Sequence, residues 1–233
     1  MTRFSVSLAG VVLNVSTLYP STKAFCREFL TKKAADCTLS LRDEDIGYER
    51  SVSEGAFSSA YLETLALLRK VSNTLIRYDT LLFHGSAIAY GGKAYVFTAP
   101  SGTGKTTHTR LWLKALPESY VLNGDKPFLR IEENRVLACG SPWRGKENYG
   151  VNEMLPLEAI CILEQDSSNH IEQVPCSSAL GALIRQTYRP ADPSLLVRSI
   201  QLIGNVAQNI RLYHLGCNMD PEAALVSSKA MIR

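Results

Sequence analysis

Apolar and polar residues alternate from Phe4 to Leu8 and again from Val11 to Val15, around Ala9-Gly10, and this period of two predicts a hairpin at the start of the chain. Ser21 to Leu30 reads as helical and Cys37 to Leu41 as a further short strand. From about Ser58 to Tyr78 the spacing changes. Tyr61, Leu62, Leu65, Leu68, Val71, Leu75 and Ile76 recur every three or four residues, the apolar stripe of a long helix packed on one side. Beyond Asp79 the texture is one of closely spaced strands. Leu81 to Tyr90 and Lys93 to Thr98 flank Gly91-Gly92, a pair that holds positive φ without strain and so suits a hairpin turn. Tyr120 to Leu122 reads as a short strand, Phe128 to Ile131 and Val136 to Cys139 as a second hairpin, and Leu157 to Leu163 as a buried strand. Helices are predicted over Ser177 to Gln186 and Pro193 to Gln208, then a strand from Arg211 to Leu215. A terminal helix follows, with Asp220 as its N-cap and Pro221 at its first position.

Strands mixed with helices over 233 residues, 45% hydrophobic and 20% charged, predict a globular α/β protein of one large domain or two unequal ones. The change of texture near Asp79 divides it into a small N-terminal α/β subdomain, 1–80, and a larger unit, 81–233. A net charge of +3 with no long basic run argues against nucleic acid as a partner. The longest apolar runs, such as Leu65 to Leu68 and Ala159 to Leu163, fall far short of the roughly 20 residues that cross a bilayer. No membrane partner is expected, and the N-terminus lacks the apolar centre of a signal peptide, so a cytoplasmic protein is expected. Six scattered cysteines show neither metal-ligand spacing nor a disulfide framework, and are read as buried thiols.

The chemistry concentrates in residues 98–108, Thr-Ala-Pro-Ser-Gly-Thr-Gly-Lys-Thr-Thr-His, between a strand-like and a helix-like segment. Gly102 and Gly104 let the backbone curl so that its N–H groups and the positive end of the next helix converge on one phosphate chain. Lys105 is placed to neutralise the β and γ phosphates, and the Thr106 hydroxyl to hold a magnesium ion between them. The first glycine of the general phosphate-loop pattern is Ala99 here, acceptable where that residue keeps a negative φ. Downstream, Asp125 can coordinate magnesium, directly or through water, or take the proton of an attacking hydroxyl. Its plain structural alternative is a turn residue in Asn-Gly-Asp. The loop from Ser141 to Glu147 compresses Trp143, Arg144 and Lys146 into one turn, a set suited to clamping a transferring phosphoryl group or an acidic acceptor, with an exposed charged loop as the plain alternative.

The run Ser101, Gly102, Thr103, Gly104, Lys105, Thr106, Thr107 is similar to the phosphate loop of ATP-dependent phosphoenolpyruvate carboxykinases. The span from His84-Gly85 through Gly91-Gly92 to Asn123-Gly124-Asp125 resembles the catalytic domain of the HPr serine kinase/phosphorylase family. That resemblance implies a P-loop core with a mixed, curved sheet and flanking helices from about residue 81 onward; the first 80 residues match neither family. It implies nucleotide-binding residues at 101–107 and a histidine near the phosphates at His84, for which a satisfied histidine within a strand is the equal alternative. It aligns Arg144-Gly145 with an Arg-Gly in the signature loop of HPr kinases, and it leaves homo-oligomeric assembly open. Both families end the strand after the loop in a pair of aspartates. Here Asp125 is the first and Lys126 stands in place of the second, so a second metal ligand is missing and phosphorolysis is not expected. The expected activity is an ATP- or GTP-dependent, Mg2+-dependent kinase. Its acceptor would be a hydroxyl, either a serine in a protein or peptide or a small molecule. Asp125, Lys105, Arg144, Lys146 and His84 would carry the reaction, with magnesium on Thr106 and Asp125. The alternative is a nucleotide-binding sensor without turnover, which the missing aspartate favours.

Overall fold

The computed structural model describes residues 1–133 and 135–232; Asn134 and Arg233, both inside the expected 81–233 unit, lie outside the described residues. The chain opens with the expected hairpin, β1 (Thr2–Leu8) and β2 (Val11–Thr17), joined through Ala9 and Gly10, both at positive φ. A short parallel strand, β3 (Cys37–Ser40), completes a three-stranded sheet. The helix expected over 21–30 is split into α1 (Pro20–Phe25) and a 3-10 turn over Arg27–Phe29. A second helix, α2 (Asp43–Val52), has no counterpart in the sequence pattern; mostly polar and charged, it lacks a broad apolar stripe. The long helix α3 (Ser59–Leu75) is capped by the Ser58 hydroxyl, which accepts from the Tyr61 amide at 3.2 Å. Within α3 the fully buried Glu63 carboxylate accepts from the amides of Leu18 (2.6 Å) and Tyr19 (3.2 Å) and from the Thr22 hydroxyl, fixing the start of α1 against it.

Among the described residues the second sheet has nine strands. Its path runs β4 (Thr80–Leu82), β8 (Phe128–Glu132), β9 (Arg135–Cys139), β10 (Met154–Gln165), β6 (Lys93–Thr98), β5 (Ser86–Tyr90) and β7 (Tyr120–Asn123). Beside β10 lies β12 (Arg211–Cys217), and beside that the short edge strand β11 (His170–Gln173). The fold is therefore a mixed α/β fold with a curled mixed sheet and flanking helices, as expected. Its curl comes from β10. Met154 to Pro156 pair antiparallel with β9, and from Leu157 the same strand runs parallel to β6, with an irregularity between Leu157 and Ala159, and from Ala159 parallel to β12 as well.

One expected strand is corrected. Leu81 to Tyr90 is not continuous, because the chain leaves β4 at Leu82 and enters β5 only at Ser86. At Gly85 the backbone passes so close to the Phe97 carbonyl that a Cβ would stand 2.9 Å from its oxygen. The break places His84 in a connection rather than in a strand.

Helix α4 (Lys105–Ala115) and helix α7 (Glu222–Met231) share a core with one face of the sheet through Phe97, Trp112 and Tyr213. Helices α5 (Cys176–Gln186) and α6 (Pro193–Asn209) pack on another cluster with Ala87, Val96 and Ile160. A further cluster joins β1, β2 and α3 to Leu82, Phe128, Cys139 and Trp143, so apolar packing is continuous across residue 80. The terminal helix begins at Glu222, with Pro221 rather than Asp220 at its cap. Of the six thiols, Cys26, Cys139 and Cys161 are buried as expected, whereas Cys37, Cys176 and Cys217 are only partly covered; none is paired.

Candidate functional site

The loop 99–104 leaves the end of β6 and enters α4 at Lys105. Gly102 and Gly104 hold φ of +85° and +118° with nothing within 4 Å of a would-be Cβ, so the demand for glycine here is conformational and not one of space. Ala99 stays outside the positive-φ region, as its place in the loop requires. The amides at the start of α4 have no acceptor within the helix and carry its positive end. Lys105 Nζ folds back onto the carbonyls of Ala99 (2.8 Å) and Pro100 (3.2 Å). Burial lowers its pKa, with Lys126 adding to the effect and Asp125 opposing it. An ammonium so placed gains from a polyanion.

Beyond the loop lies a cavity of about 450 Å3. Ser101, Gly102, Gly104, Lys105, Thr106, His84, Asp125, Arg144 and Lys146 all line it. Thr103 and Thr107 do not; they face a different hollow, of about 370 Å3, with Gln165 and Asn218.

Asp125 sits just past the end of β7, where the Asn123 side-chain carbonyl accepts from the amides of Asp125 (2.9 Å) and Lys126 (2.7 Å) and fixes the turn. Its Oδ2 accepts from Lys126 Nζ at 2.6 Å, and its Oδ1 lies 3.4 Å from His84 Nε2. On its other side, His84 Nδ1 stands 2.7 Å from Gln186 Oε1, and the His84 amide donates to the Gln186 carbonyl at 2.7 Å. Gln186 thereby aims the ring at the carboxylate. Burial alone would raise the Asp125 pKa, but hydrogen bonds from His84 and Lys126 outweigh it and hold the carboxyl at about 2. Gly145, at φ +74°, lets the opposite loop approach: a Cβ there would meet Asp125 Cβ at 2.9 Å.

Arg144 lines the cavity, yet both terminal nitrogens of its guanidinium donate to the Glu28 carboxylate of the 3-10 turn, and its Nε is buried without a partner. Trp143 is buried; its indole N–H donates to the Thr64 carbonyl at 3.0 Å and binds this loop to α3. Lys146 is exposed at the cavity rim. His108 lies in the core, between Phe97 and Ser227, where burial pushes its pKa down to about 4. Glu28, Asn123 and Gln186 were not singled out from the sequence. Only Asn123, inside Asn-Gly-Asp, gave a local signal.

The protein's own candidate metal donors are a hydroxyl and one carboxylate, Thr106 and Asp125, and no group of three or more His, Cys, Asp or Glu side chains fit for a metal occurs among the described residues. Such a sparse, hard-oxygen set fits magnesium carried largely by phosphate and water, and would not hold a bare ion.

No protein-family model matches the chain, and no curated protein matches its sequence. Among solved structures, the HPr(Ser) kinase/phosphatase from Coxiella burnetii aligns with 64% of this chain and 93% of its own, at 8% identity and a TM-score of 0.38. No helix among the described residues is long and apolar enough to cross a membrane.

Proposed function

We propose that the protein is a nucleotide-dependent phosphotransferase that moves the γ-phosphoryl group of ATP or GTP to a hydroxyl. The observation that carries this reading is that a glycine-rich loop at a helix N-terminus, its lysine and threonine, and the Asp125 carboxylate all line one cavity. Lys105 and the α4 amides hold the β and γ phosphates, and the cavity selects the triphosphate by charge. Magnesium, when bound with the nucleotide on Thr106 and Asp125, supplies neutralisation of the charge that develops on the bridging oxygen.

A carboxyl held at about 2 is a weak proton acceptor, so in the nucleotide-free state Asp125 is suited to charge and positioning rather than to deprotonating an alcohol. That demand is modest in a loose phosphoryl-transfer transition state, where bond breaking runs ahead of bond making. A sensor without turnover is the second reading, favoured by Lys126, whose ammonium occupies Asp125 Oδ2.

Two measurements separate them. Mg-ATP binding by equilibrium dialysis and ADP release with an added alcohol are compared in wild type and Asp125→Asn. A kinase keeps binding and loses turnover in the variant by about a hundredfold or more. Binding with no Asp125-dependent ADP release leaves the sensor, and no binding removes both readings.

A further inference from the structure

The phosphate cavity has a neighbour. A second cavity, of about 430 Å3, shares Asp125, Arg144, Gly145 and Lys146 with it and adds the Lys126 side of the carboxylate. Its remaining wall has different chemistry: Phe25 at the end of α1 and Tyr61 and Leu65 of α3 line it together with Trp143. Phe25 stands edge-on to Trp143 with ring centroids 5.8 Å apart, and Phe57 braces Tyr61 at 5.2 Å. Yet Phe25 keeps 38% and Tyr61 47% of their surface in solvent. Half-covered aromatic rings around a concavity that reaches a polarised carboxylate are more than core packing, which would close over them. The volume suits a small ligand or a few side chains of a peptide.

We propose that this second cavity receives the phosphoryl acceptor, and that the acceptor carries its hydroxyl beside an apolar, preferably aromatic, group. The inference rests on the kinase reading and adds the substrate class to it. It also gives the N-terminal elements a task, since α1 and α3 supply the wall that recognises the acceptor. The acceptor oxygen reaches the γ-phosphorus past Asp125 and forms the new O–P bond. The bond from that phosphorus to the β–γ bridging oxygen breaks, its electron pair leaves with the nucleoside diphosphate, and the hydroxyl proton passes by Asp125 to solvent. Lys146, on the rim of both cavities, faces the negative charge as it moves between them. The hydroxyl has two conceivable sources, a free compound or a residue of a peptide, and the test has an arm for each.

ADP formation with Mg-ATP is measured for N-acetyl-L-serine against N-benzoyl-L-serine, and for two blocked tetrapeptides with an internal alanyl-serine or phenylalanyl-serine pair. In at least one arm the aromatic member should exceed its partner in kcat/KM by about tenfold or more, the scale on which apolar pockets discriminate. Tyr61→Ala, which opens the wall, and Leu65→Trp, which fills the cavity, should each erase that preference through the acceptor KM, with the dissociation constant of Mg-ATP the same. The arm that responds identifies the source. Turnover without aromatic preference in either arm, or a preference that survives both substitutions, overturns the inference and leaves the kinase reading standing. Absence of ADP formation with all four alcohols overturns both.

Discussion

Replacing Asp125 by asparagine removes the charge on which His84 and Lys126 converge, and the structure sets the size of the effect on stability. The carboxyl is held at about 2 in the folded chain, where burial works against the two hydrogen bonds and loses, compared with an ordinary 3.8. That gap corresponds to about 2 kcal/mol of folding free energy. The side chain keeps 24% of its surface exposed, so screening trims this figure without removing it. Because the folded-state pKa is the depressed one, the contribution is complete above the unfolded carboxyl's pKa and is lost as the pH falls through that value toward the folded one. Wild type should exceed Asp125→Asn by about 2 kcal/mol near pH 7 and by about 1 kcal/mol near pH 3. Urea denaturation of the nucleotide-free proteins, followed by tryptophan fluorescence at a series of pH values, measures the gap, with the buried Trp112 and Trp143 as reporters. An asparagine variant as stable as wild type near pH 7, or a gap that does not narrow on acidification, refutes the reasoning.

Three further substitutions probe how the site is held. Glu28→Ala leaves the Arg144 guanidinium, whose side chain is only 9% exposed, without its carboxylate; a loss of about 1–2 kcal/mol is expected in urea denaturation, and no loss would show the pair to be idle. Gly145→Ala forces a Cβ to within 2.9 Å of Asp125 Cβ at a φ of +74°; ADP release should fall about tenfold or more while the far-ultraviolet circular dichroism spectrum is kept. Trp143→Ala removes the ring that packs on Phe25 and Phe128 and donates to Thr64; a cost of about 3–5 kcal/mol is expected, seen as a lower thermal midpoint, and Trp143→Phe should recover part of it.

The elements that the sequence displays are those whose cause is local. The hairpin at residues 2–17, the stripe along α3 and the glycines of the phosphate loop are each specified within a few residues, by alternation, by period, or by a φ only glycine holds easily. What was not legible depends on partners far along the chain. In the break between β4 and β5 the backbone bonds to distant segments, the His84 amide to the Gln186 carbonyl and the Gly85 amide to the Asp125 carbonyl, and the Phe97 carbonyl leaves no room for a side chain at Gly85. The strand pattern around His84 gives no sign of it. His84 takes its orientation from Gln186, 102 residues on, and Arg144 takes its from Glu28, 116 residues back. Helix α2 was missed for a different reason: its contacts to α3 are largely polar, with Arg69 reaching Glu49 at 2.6 Å and Lys70 reaching Asp45 at 2.7 Å. An apolar period cannot reveal packing of that kind.

The position after Asp125 decides how the site manages charge. A second carboxylate there would leave two negative charges at the end of β7, tolerable only with a cation between them. Lys126 instead neutralises the first carboxylate across a 2.6 Å contact and leaves that end of β7 close to neutral before any nucleotide arrives. Under the kinase reading a triphosphate in the first cavity meets a carboxylate whose charge is already balanced, while Lys126 itself lines the second cavity. A divalent cation arriving with the nucleotide would favour the charged carboxylate in the same direction as His84 and Lys126 do, against burial. Under the kinase reading Asp125 therefore stays a weak proton acceptor in the loaded site, and its part is charge and positioning. In this arrangement the residue that departs from the two-aspartate pattern balances the charge of Asp125 before any nucleotide arrives.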